Sequence, residues 1–317
     1  GKGQVLIEVK AIGVNFADCL IRMGVYQSAK DFVGWPITPG FEVSGIIKEV
    51  GEGVTQFVVG QKVIATTLFG GYTTHLVVSE DQIFSLPDAL TYEQGAAIPV
   101  IFLTAYYALF ELAHPRKGDK LLIHSAAGGV GSALIQMGKV AECKMFAVVG
   151  AQHKVPTVIG ADVVIDKSTQ NLWEEAKKFA PEGFDVILDA NGTETLKADY
   201  KHLASGGKLV IYGFHSLFEK GKGTPNWFKL LYNYLTIPKF NPMSLTNQNK
   251  SVMGFNLSYM FKKKNILQEP VYKLLEWFRA GKLQPPPIKT YKLEDAALAQ
   301  KDLESGQTVG KLILIND

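Results

Sequence analysis

The sequence predicts an α/β fold built on a doubly wound parallel sheet, and two observations carry that prediction. The first is the stretch KLLIHSAAGGVG at 120–131, which reads as a buried strand, a tight glycine turn and a helix start. The second is the alternation that follows, in which apolar runs typical of buried strands are separated by helix-like segments such as 171–179. These runs span 144–150, 162–166, 184–189 and 208–212. A ligand should then bind at the carboxyl ends of the strands, where the glycine turn lies.

The glycine turn has the spacing of a dinucleotide-binding fingerprint, with Ala126 in the first glycine position, followed by Gly128 and Gly131. A pyrophosphate binds bare N–H groups at a helix N-terminus, where the helix dipole favours negative charge. Gly128 would let the backbone approach the phosphates, and Gly131 would let the helix pack tightly on the strand. A plain strand–helix turn has the same pattern, so the alternating context is needed to favour a nucleotide. The candidate phosphate-binding residues are Ala127, Gly128, Gly129 and Val130.

The first 95 residues predict a smaller domain built from short strands separated by glycine turns, which is typical of a β-barrel. Thr91 and Gln94 resemble a capping box, which predicts that the next helix begins there. A last strand at 311–315 is expected to return to this domain. The strand patterns in the first part cover 4–10, 42–50, 63–67 and 72–78.

The composition indicates a soluble globular protein, and its 317 residues give room for two domains. A net charge of +3 is too small to argue for nucleic acid or a membrane surface as a partner. Cys19 and Cys143 show no metal or redox spacing and suit a reducing compartment, so we expect a cytoplasmic protein. Because the first residues already read as a strand, we expect the sequence to lack its native N-terminus.

An uncharged run at 95–110 has the composition of a transmembrane segment but is shorter than the roughly 20 residues that a span needs. It contains Pro99 and Thr104 and is flanked by Glu93 and Glu111. We therefore expect a helix buried between two domains.

Residues 215–250 interrupt the alternation with a group of aromatic side chains and lysines. A substrate lid, a lipid-contacting patch and a packed dimer element all stay open, and an ordinary amphipathic helical pair explains the pattern at least as well. Beyond this stretch we expect a strand at 252–257, a solvated turn at the three lysines 262–264 and a helix at 266–281. The aromatic residues and lysines are Phe218, Trp227, Phe228, Tyr232, Tyr234, Phe240, Lys220, Lys222, Lys229 and Lys239.

Further short motifs occur in a fixed order along the chain. They are GVNFAD at 13–18, GVY at 24–26, PGFE at 39–42, LTAY at 103–106 and GK at 310–311. With the glycine run at 126–131, this set resembles the medium-chain dehydrogenase/reductase superfamily, and within it the zinc-independent quinone oxidoreductases of the zeta-crystallin type. The stretch 215–258 is most similar to homologues of the vesicle amine transport protein.

The resemblance implies a GroES-like catalytic domain formed by 1–98 and 259–317, and a Rossmann domain at 99–258 that binds NADP. Members of the family are commonly dimers that pair through the last Rossmann strand, here 252–257. An edge strand with unpaired backbone groups is a physically sensible seam for a homodimer.

The residues argue against a catalytic metal. Zinc-dependent relatives carry a Cys within the stretch equivalent to 13–18 and a His just before the glutamate equivalent to Glu42, whereas this chain has Asn15 and Phe41 nearby. Phe41 cannot bind zinc, which takes Cys, His or carboxylate ligands. Glu42 and Asp18 are then expected to be structural or hydrogen-bonding groups. His124, inside a buried strand, is expected to be a satisfied core residue.

The residues after the second strand favour NADPH. NAD sites usually place an Asp or Glu about 20 residues beyond the fingerprint, whereas here Lys154 follows and no acid does. By resemblance, Lys154 binds the 2′-phosphate, with Lys167 as a second cation and with Gly150 and Gln152 beside it. Both lysines also fit plain surface solvation. The run 154–160 is shorter than usual and contains proline, so we expect either a truncated helix or missing residues there.

The expected reaction is hydride transfer from NADPH to a quinone or activated alkene, a small electrophilic acceptor that needs no metal. Tyr26 matches a tyrosine that related enoyl reductases place near the substrate, and it could donate a proton or hydrogen bond to the developing oxyanion. A packing role at the barrel rim fits Tyr26 equally well. Asn15 could orient the acceptor or the nicotinamide ribose. The remaining candidate cofactor contacts are Thr104, Gly213, Phe255 and Asn256.

An alternative from another class stays open, namely a lipid-binding or membrane-associated adaptor that keeps the reductase fold. The aromatic and lysine-rich stretch 215–250 motivates it. Turnover separates the two functions, because an adaptor would bind NADPH and reduce nothing.

Overall fold

The computed structural model describes residues 1–217, 222–261 and 264–316, and for 264–267 it describes the backbone alone. The chain forms two compact units. The first comprises Gly1–Leu103, Lys220–Gly223 and Ser258–Asp317, and the second comprises Thr104–Glu219 and Thr224–Leu257.

The strands, in chain order, are β1 (Gln4–Val14), β2 (Glu42–Val50), β3 (Lys62–Thr66), β4 (His75–Ser79), β5 (Ile83–Ser85), β6 (Lys120–Ile123), β7 (Lys144–Val149), β8 (Val163–Asp166), β9 (Phe184–Asp189), β10 (Leu203–Ile211), β11 (Ser251–Gly254), β12 (Ile288–Lys292) and β13 (Lys311–Ile315).

The helices are α1 (Phe16–Arg22), α2 (Gln27–Phe32), α3 (Tyr92–Ala96), α4 (Pro99–Tyr106), α5 (Gly129–Val140), α6 (Leu172–Phe179), α7 (Leu196–Lys201), α8 (Trp227–Thr236), α9 (Pro242–Gln248), α10 (Leu257–Met260), α11 (Lys264–Arg279) and α12 (Ala296–Glu304). A π-helical turn at Tyr107–Ala113 continues α4, and short 3₁₀ turns lie at Glu80–Gln82, Gln152–Thr157, His215–Leu217 and Leu293–Asp295.

The first unit is a mainly antiparallel β-domain of the GroES-like type. Its sheet has the order β12-β13-β1-β2-β3-β5, and β4 also pairs with β1. Alternate residues of β1, such as Val5, Ile7 and Val9, are fully buried and form the core of this unit with inward residues of β2 and β3. The predicted return of the last strand is confirmed, because β13 pairs antiparallel with β1.

The second unit is the Rossmann-like parallel sheet, in the order β11-β10-β9-β6-β7-β8. The chain enters at the centre with β6, builds outward through β7 and β8, and then returns to the other side with β9, β10 and β11. Leu121, Leu122 and Ile123 are completely buried because helices cover both faces of such a sheet. The carboxyl ends of β6 and its neighbours therefore share one edge, where the glycine turn follows.

The apolar helix near residue 100 is longer than predicted. Tyr92–Ala113 passes a length and composition test for a membrane span within the described residues, with 22 residues, although 67% of its most apolar window is buried. The prediction that this segment is too short for a membrane span is therefore wrong. Glu93 and Glu111 lie inside the helical segment and do not mark its ends. The predicted burial of this helix within the protein is confirmed. Core helices of soluble proteins are mostly buried in the same way.

Several predicted boundaries also change. The strand expected at 252–257 is β11, which ends at Gly254, and Leu257 begins α10 instead. Residues 215–250 contain the helical pair α8 and α9, as the amphipathic interpretation predicted, while Phe218 and Lys220 lie outside the described residues. Lys262 and Lys263 also lie outside them, and Lys264 starts α11 and not a turn.

Candidate functional site

The glycine turn after β6 has the geometry of a phosphate-binding loop. Ser125 takes a left-handed conformation with φ 54°, and the Ala126 N–H donates to the Val148 carbonyl of the next strand at 3.0 Å. Gly128 caps α5, whose first residue is Gly129, and no acidic residue lies in the first turn of that helix. Because the first N–H groups of a helix have no acceptor within it, this turn offers donors and a positive dipole end to an anion.

The two glycines of the turn have different roles. A Cβ on Gly131 would lie 2.4 Å from the Ser125 carbonyl oxygen and 2.7 Å from Ala126 Cα, so only glycine permits this close packing of helix on turn. A Cβ on Gly128 would meet only the Ser125 oxygen, at 3.2 Å. The space above Gly128 is thus open, as expected for a backbone that approaches a phosphate. These residues fit a dinucleotide.

Lys167 lies beside the glycine that ends the second strand. Its backbone N–H donates to the Val149 carbonyl at 3.0 Å, and its Cε would be 3.8 Å from a Cβ on Gly150. Lys154 lies half-buried in the short 3₁₀ turn Gln152–Thr157, which confirms the predicted truncation of the helix. Asp166 is buried, and its Oδ1 accepts from the Ser168 N–H at 2.9 Å. The carboxylate next to Lys167 is therefore turned away from solvent.

A buried polar cluster lies below the turn, and the sequence did not predict its partners. His124 Nε2 lies 2.8 Å from Asp199 Oδ1 and 3.9 Å from Asp189 Oδ2, and all three side chains are completely buried. Asp189 also accepts hydrogen bonds from the Gly192 N–H and the Thr195 hydroxyl. His124 is thus a core residue, as predicted, which ties the end of β6 to β9 and α7. The prediction that it is satisfied holds for Nε2 and is wrong for Nδ1, which has no hydrogen-bond partner among the described residues.

Burial shifts the charge states of this cluster. It lowers the pKa of His124 to about 4, and it raises the pKa of Asp189 and of Asp199 to about 7. Among the described residues, these three form a group whose ligand-type atoms lie within 4.8 Å of one another, the spacing that a metal ion would require. His124 Nε2 already forms a hydrogen bond with Asp199 at 2.8 Å. This contact explains the close approach of the group as a structural one.

The first unit contains a buried ion pair around Asn15. Lys311 Nζ lies 2.6 Å from Glu42 Oε1 and donates to Asn15 Oδ1 at 2.6 Å, while Asn15 Nδ2 donates to Glu42 Oε1 at 2.9 Å. The other Glu42 oxygen accepts from the Val100 N–H at 2.7 Å. Both ends of the Asn15 amide are therefore already engaged. Glu42 is a hydrogen-bonding group as predicted, and Lys311 was missed as its partner.

Asp18 holds the loop that carries Asn15. Its Oδ2 accepts from the Asn15 N–H at 2.8 Å and from the Tyr72 hydroxyl at 3.2 Å, and its Oδ1 accepts from the Gly40 N–H at 2.9 Å. Burial raises the pKa of Asp18 to about 7, against the opposing effect of these N–H donors. Its predicted structural role is confirmed.

Tyr26 is half-buried and lies directly before α2, at its N-cap position. Its ring packs edge-on against Phe41 at 6.1 Å, and its hydroxyl lies 2.6 Å from Ser258 Oγ. Phe41 in turn packs 5.2 Å from Phe69, so the position of a zinc-binding histidine in relatives is part of an apolar cluster here. Tyr26 and Asn15 both belong to the first unit.

The other candidate contacts belong to the second unit, with the glycine turn. Thr104 is buried on α4. Gly213 follows β10 at a close backbone approach, where a Cβ would lie 2.7 Å from the Ala190 carbonyl oxygen. Phe255 follows β11, its ring lies 4.9 Å from that of Tyr107, and its N–H donates to the Ile211 carbonyl. Asn256 is next in the chain, so these last three residues follow carboxyl ends of parallel strands.

Comparison with known proteins supports the same architecture. Residues 1–88 match the profile described as "Alcohol dehydrogenase GroES-like domain", and 159–314 match "Zinc-binding dehydrogenase". The chain is 34% identical to a synaptic vesicle membrane protein VAT-1 homolog of Danio rerio, covering 99% of this chain and 64% of that protein. It is 33% identical to a quinone oxidoreductase of Mus musculus, covering 98% and 89%.

Solved structures give the same result. The chain is similar to Escherichia coli quinone oxidoreductase complexed with NADPH, with a TM-score of 0.81, 27% identity and coverage of 99% and 92%. It is also similar to the CurK enoyl reductase, with a TM-score of 0.85, 27% identity and coverage of 99% and 91%. The chain spans about two thirds of the length of the Danio rerio relative.

Proposed function

Because the chain belongs to the medium-chain dehydrogenase/reductase superfamily, we propose that it is a zinc-independent, NADPH-dependent oxidoreductase that reduces a quinone or an activated alkene. The observation that carries this proposal is the turn at 125–131, with its close-packed Gly131 and its open Gly128 at the start of α5. When bound there, NADPH would supply the hydride. Ala127, Gly128, Gly129 and Val130 would hold its pyrophosphate through backbone N–H groups.

The preference for NADPH over NADH rests on the charges around Gly150. Lys167 lies against this glycine, Lys154 follows in the next turn, and Asp166 is buried. Two cations beside a buried Asp166 carboxylate suit a 2′-phosphate better than a ribose hydroxyl pair. Gln152, exposed on the same turn, would lie beside the ribose.

The acceptor is proposed to be electron-poor because the first unit offers no Lewis-acid ligand set at Asn15 and Glu42. The Glu42 carboxylate is bound by the Lys311 ammonium, by Asn15 and by a backbone N–H. Quinones and enones accept hydride without metal activation, provided that a donor stabilises the oxygen that becomes negative. Tyr26 is the proposed donor. The expected contact of Asn15 with the acceptor or the ribose is not retained, because its amide is already engaged by Glu42 and Lys311, and Asn15 is proposed to hold that ion pair in place. Thr104, Gly213, Phe255 and Asn256 are the proposed contacts of the nicotinamide end.

The first experiment is a fluorescence titration of NADPH and NADH against the wild type, Lys154→Ala and Lys167→Ala. Loss of one charge-assisted contact, about 1.5–3 kcal/mol, should weaken NADPH binding by about tenfold or more and leave NADH unchanged. Lys177→Ala, an exposed lysine on α6, is the matched control. Failure of both cofactors to bind the wild type would sink the proposal, and a turnover screen with quinones and enones follows if NADPH binds.

A second function is supported by the outer face of α8. Six large apolar or aromatic side chains of this ten-residue helix are exposed, from 57% for Leu231 to 87% for Phe228, and Met243 on α9 is 75% exposed. Soluble monomers rarely expose such a continuous patch. The six residues are Trp227, Phe228, Leu231, Tyr232, Tyr234 and Leu235.

The charges around this patch favour an anionic membrane surface. Residues 222–250 contain four lysines and no Asp or Glu, and an amphipathic helix with aromatic residues and flanking lysines is typical of peripheral membrane contact. We therefore propose, as the second candidate, a cytoplasmic protein that contacts a membrane through α8. It would act as an adaptor if the reductase site has no turnover.

The membrane proposal is tested by co-sedimentation with phosphatidylcholine vesicles, with and without phosphatidylserine. We expect the wild type to sediment with the anionic vesicles and Trp227→Ala/Phe228→Ala to stay in the supernatant. Tyr272→Ala/Leu298→Ala removes two comparably exposed side chains from α11 and α12 and is the matched control. Equal sedimentation of all three proteins would contradict a role for α8.

A further inference from the structure

The Tyr26 hydroxyl has a buried partner that is distant in the sequence. Tyr26 Oη lies 2.6 Å from Ser258 Oγ, a contact between residues 232 positions apart. Ser258 is only 3% exposed, whereas Tyr26 is half-buried. The serine therefore approaches the phenol from the protein interior.

Neighbouring contacts fix both sides of this hydrogen bond. The Tyr26 ring packs in an apolar cluster with Phe41 and Ala29. On the side of α10, the residue after Ser258 is anchored as well, because the Tyr259 hydroxyl donates to Asp31 Oδ2 at 2.6 Å and its ring packs 5.4 Å from Phe32. Two successive residues of α10, Ser258 and Tyr259, thus bond to Tyr26 before α2 and to Asp31 within it. These contacts leave little freedom for the Ser258 hydroxyl.

We propose that Ser258 is a positioning residue for Tyr26, in which the serine hydroxyl donates to the phenolic oxygen and directs the phenol proton toward the acceptor. This inference rests on the proposed reductase function. A side chain that donates to a phenol oxygen also stabilises the phenolate that remains after the proton has left.

The proton and electrons balance as follows in the proposed reaction. A C–H bond of NADPH, when bound, would supply the hydride and leave NADP⁺. The hydride would add to an electron-poor carbon of the acceptor, and the electron pair that this displaces would move to the carbonyl oxygen of the acceptor. The Tyr26 O–H bond breaks, its proton goes to that oxygen, and the bonding pair stays on Tyr26 as phenolate. Ser258 stabilises this phenolate until solvent returns the proton.

The kinetic test compares the wild type with Ser258→Ala, Ser258→Thr and Tyr26→Phe. We expect Ser258→Ala to lower kcat by about tenfold, the value of one hydrogen bond made in the transition state, with little change in KM for the acceptor. Ser258→Thr keeps the hydroxyl and should restore most of kcat. Ser85→Ala, an exposed serine that bonds to Gln61, is the control for serine removal. NADPH affinity and circular dichroism confirm that each variant is folded.

Two kinetic results would overturn the proposal. One is a Ser258→Ala kcat within twofold of the wild type, the other is full turnover in Tyr26→Phe, since a positioning residue requires a working phenol. Failure of Ser258→Thr to recover activity where Ser258→Cys recovers it would also count against a hydroxyl donor, because a thiol is the weaker donor.

A readout without turnover keeps this inference separate from the proposed function. The protein is labelled with ¹³Cζ-tyrosine, and the Tyr26 signal, assigned with Tyr26→Phe, is titrated by NMR. Ser258→Ala should raise the pH at the midpoint of the Tyr26 titration, because the phenolate loses a hydrogen-bond donor. The neighbouring titratable residues, Asp31 on α2 and Tyr259 on α10, are not substituted in this variant. An unchanged midpoint overturns the contact even if the wild type reduces nothing, and a raised one supports it.

Discussion

Lys311 is a buried cation whose worth can be measured directly. Lys311→Met leaves the Glu42 carboxylate and the Asn15 amide buried without their ammonium partner. Removing one member of a buried pair costs about 3–5 kcal/mol, so we expect a fall of that size in the free energy of unfolding in urea. Lys292→Met, an exposed lysine of β12, should change stability by less than about 0.5 kcal/mol. A small effect at Lys311 would show that water reaches Glu42.

A partner variant isolates the cause of that loss. In Lys311→Met/Glu42→Gln the uncompensated charge is gone, so the double variant should recover part of the stability that Lys311→Met loses. Additive losses would instead mean that packing of the lysine stem, and not its charge, stabilises this region.

The buried carboxyl of Asp199 predicts an unusual pH dependence. Burial raises its pKa in the folded chain to about 7, whereas an unfolded aspartate titrates near 3.9. Between these values the folded state binds more protons than the unfolded one, so this group makes stability fall as pH rises from about 4 to about 7.

Asp199→Asn removes that titration and keeps an oxygen for His124. Chemical denaturation at about pH 5 and about pH 8 should show the variant gaining stability relative to the wild type at the higher pH. A stability difference that does not change with pH would mean that the carboxyl titrates normally in the folded protein.

The residue scale also shows the limit of sequence reasoning. The burial of His124 and the structural role of Asp18 could be predicted from the neighbouring sequence, but their distant partners Asp199 and Tyr72 could not. The partners of the candidate catalytic residues could not, since Lys311 lies 296 positions from Asn15 and Ser258 lies 232 positions from Tyr26. Only the fold brings such pairs together. The GK motif at 310–311 marked Lys311 without indicating its partner, and Ser258 had no distinguishing pattern of its own.

The two glycines of the turn make separable predictions at the level of elements. Gly131→Ala would press a methyl group to 2.4 Å from the Ser125 oxygen, so we expect a loss of about 1–3 kcal/mol in the free energy of unfolding. Gly128→Ala makes one tight contact, at 3.2 Å from the Ser125 oxygen, so we expect it to lose less stability than Gly131→Ala. It should weaken NADPH binding by about tenfold, because the methyl group occupies the approach of the phosphate.

Calorimetry and NADPH titration on both variants check this separation. If Gly128→Ala binds NADPH like the wild type, the phosphates do not approach that backbone, and the assignment of the turn has to be revised. If Gly131→Ala is as stable as the wild type, the contact between α5 and the turn relaxes more easily than the fixed backbone suggests.

Strands with a clear apolar run were predicted well, whereas β10, which contains two consecutive glycines, was not. The strands β7 and β9 are short runs buried on both faces, and their sequence shows it. β10 begins at Leu203, five residues before the predicted start, because its register shifts between Leu203 and Lys208. The glycines 206 and 207 read as a turn in sequence, whereas here they accommodate an irregularity within a continuous strand.

At the scale of the whole molecule, the order of strands needed more than local pattern. Alternating strands and helices predicted the parallel sheet, and the motif resemblance predicted that residues after 258 return to the first unit. The sequence placed the boundaries at 98 and 258, and the units of the structure divide after 103 and after 257. Such boundaries fall inside continuous helices, α4 and α10, where composition does not change and no local signal marks them.

The open edge of the parallel sheet carries the last prediction, a homodimer. In the described part of the chain, β11 pairs with β10 on one side. The Phe255 N–H donates to Ile211, and N–H groups alternate in direction along a strand, so those of Val252 and Gly254 face the open side. Unpaired edge groups of this kind are a template for a second copy of the same strand.

Light scattering over a range of protein concentrations should therefore give twice the mass of one chain for the wild type. Val252→Pro should give the mass of one chain, because proline removes an edge N–H and blocks strand pairing. β8 lies at the opposite edge of the same sheet, where Lys167 bonds back to Val149, so the Val164 N–H faces outward in the same way. Val164→Pro is the matched control and should leave the dimer intact. A single-chain mass for the wild type would contradict the homodimer itself. Dissociation by Val164→Pro and not by Val252→Pro would place the interface at the β8 edge instead of β11.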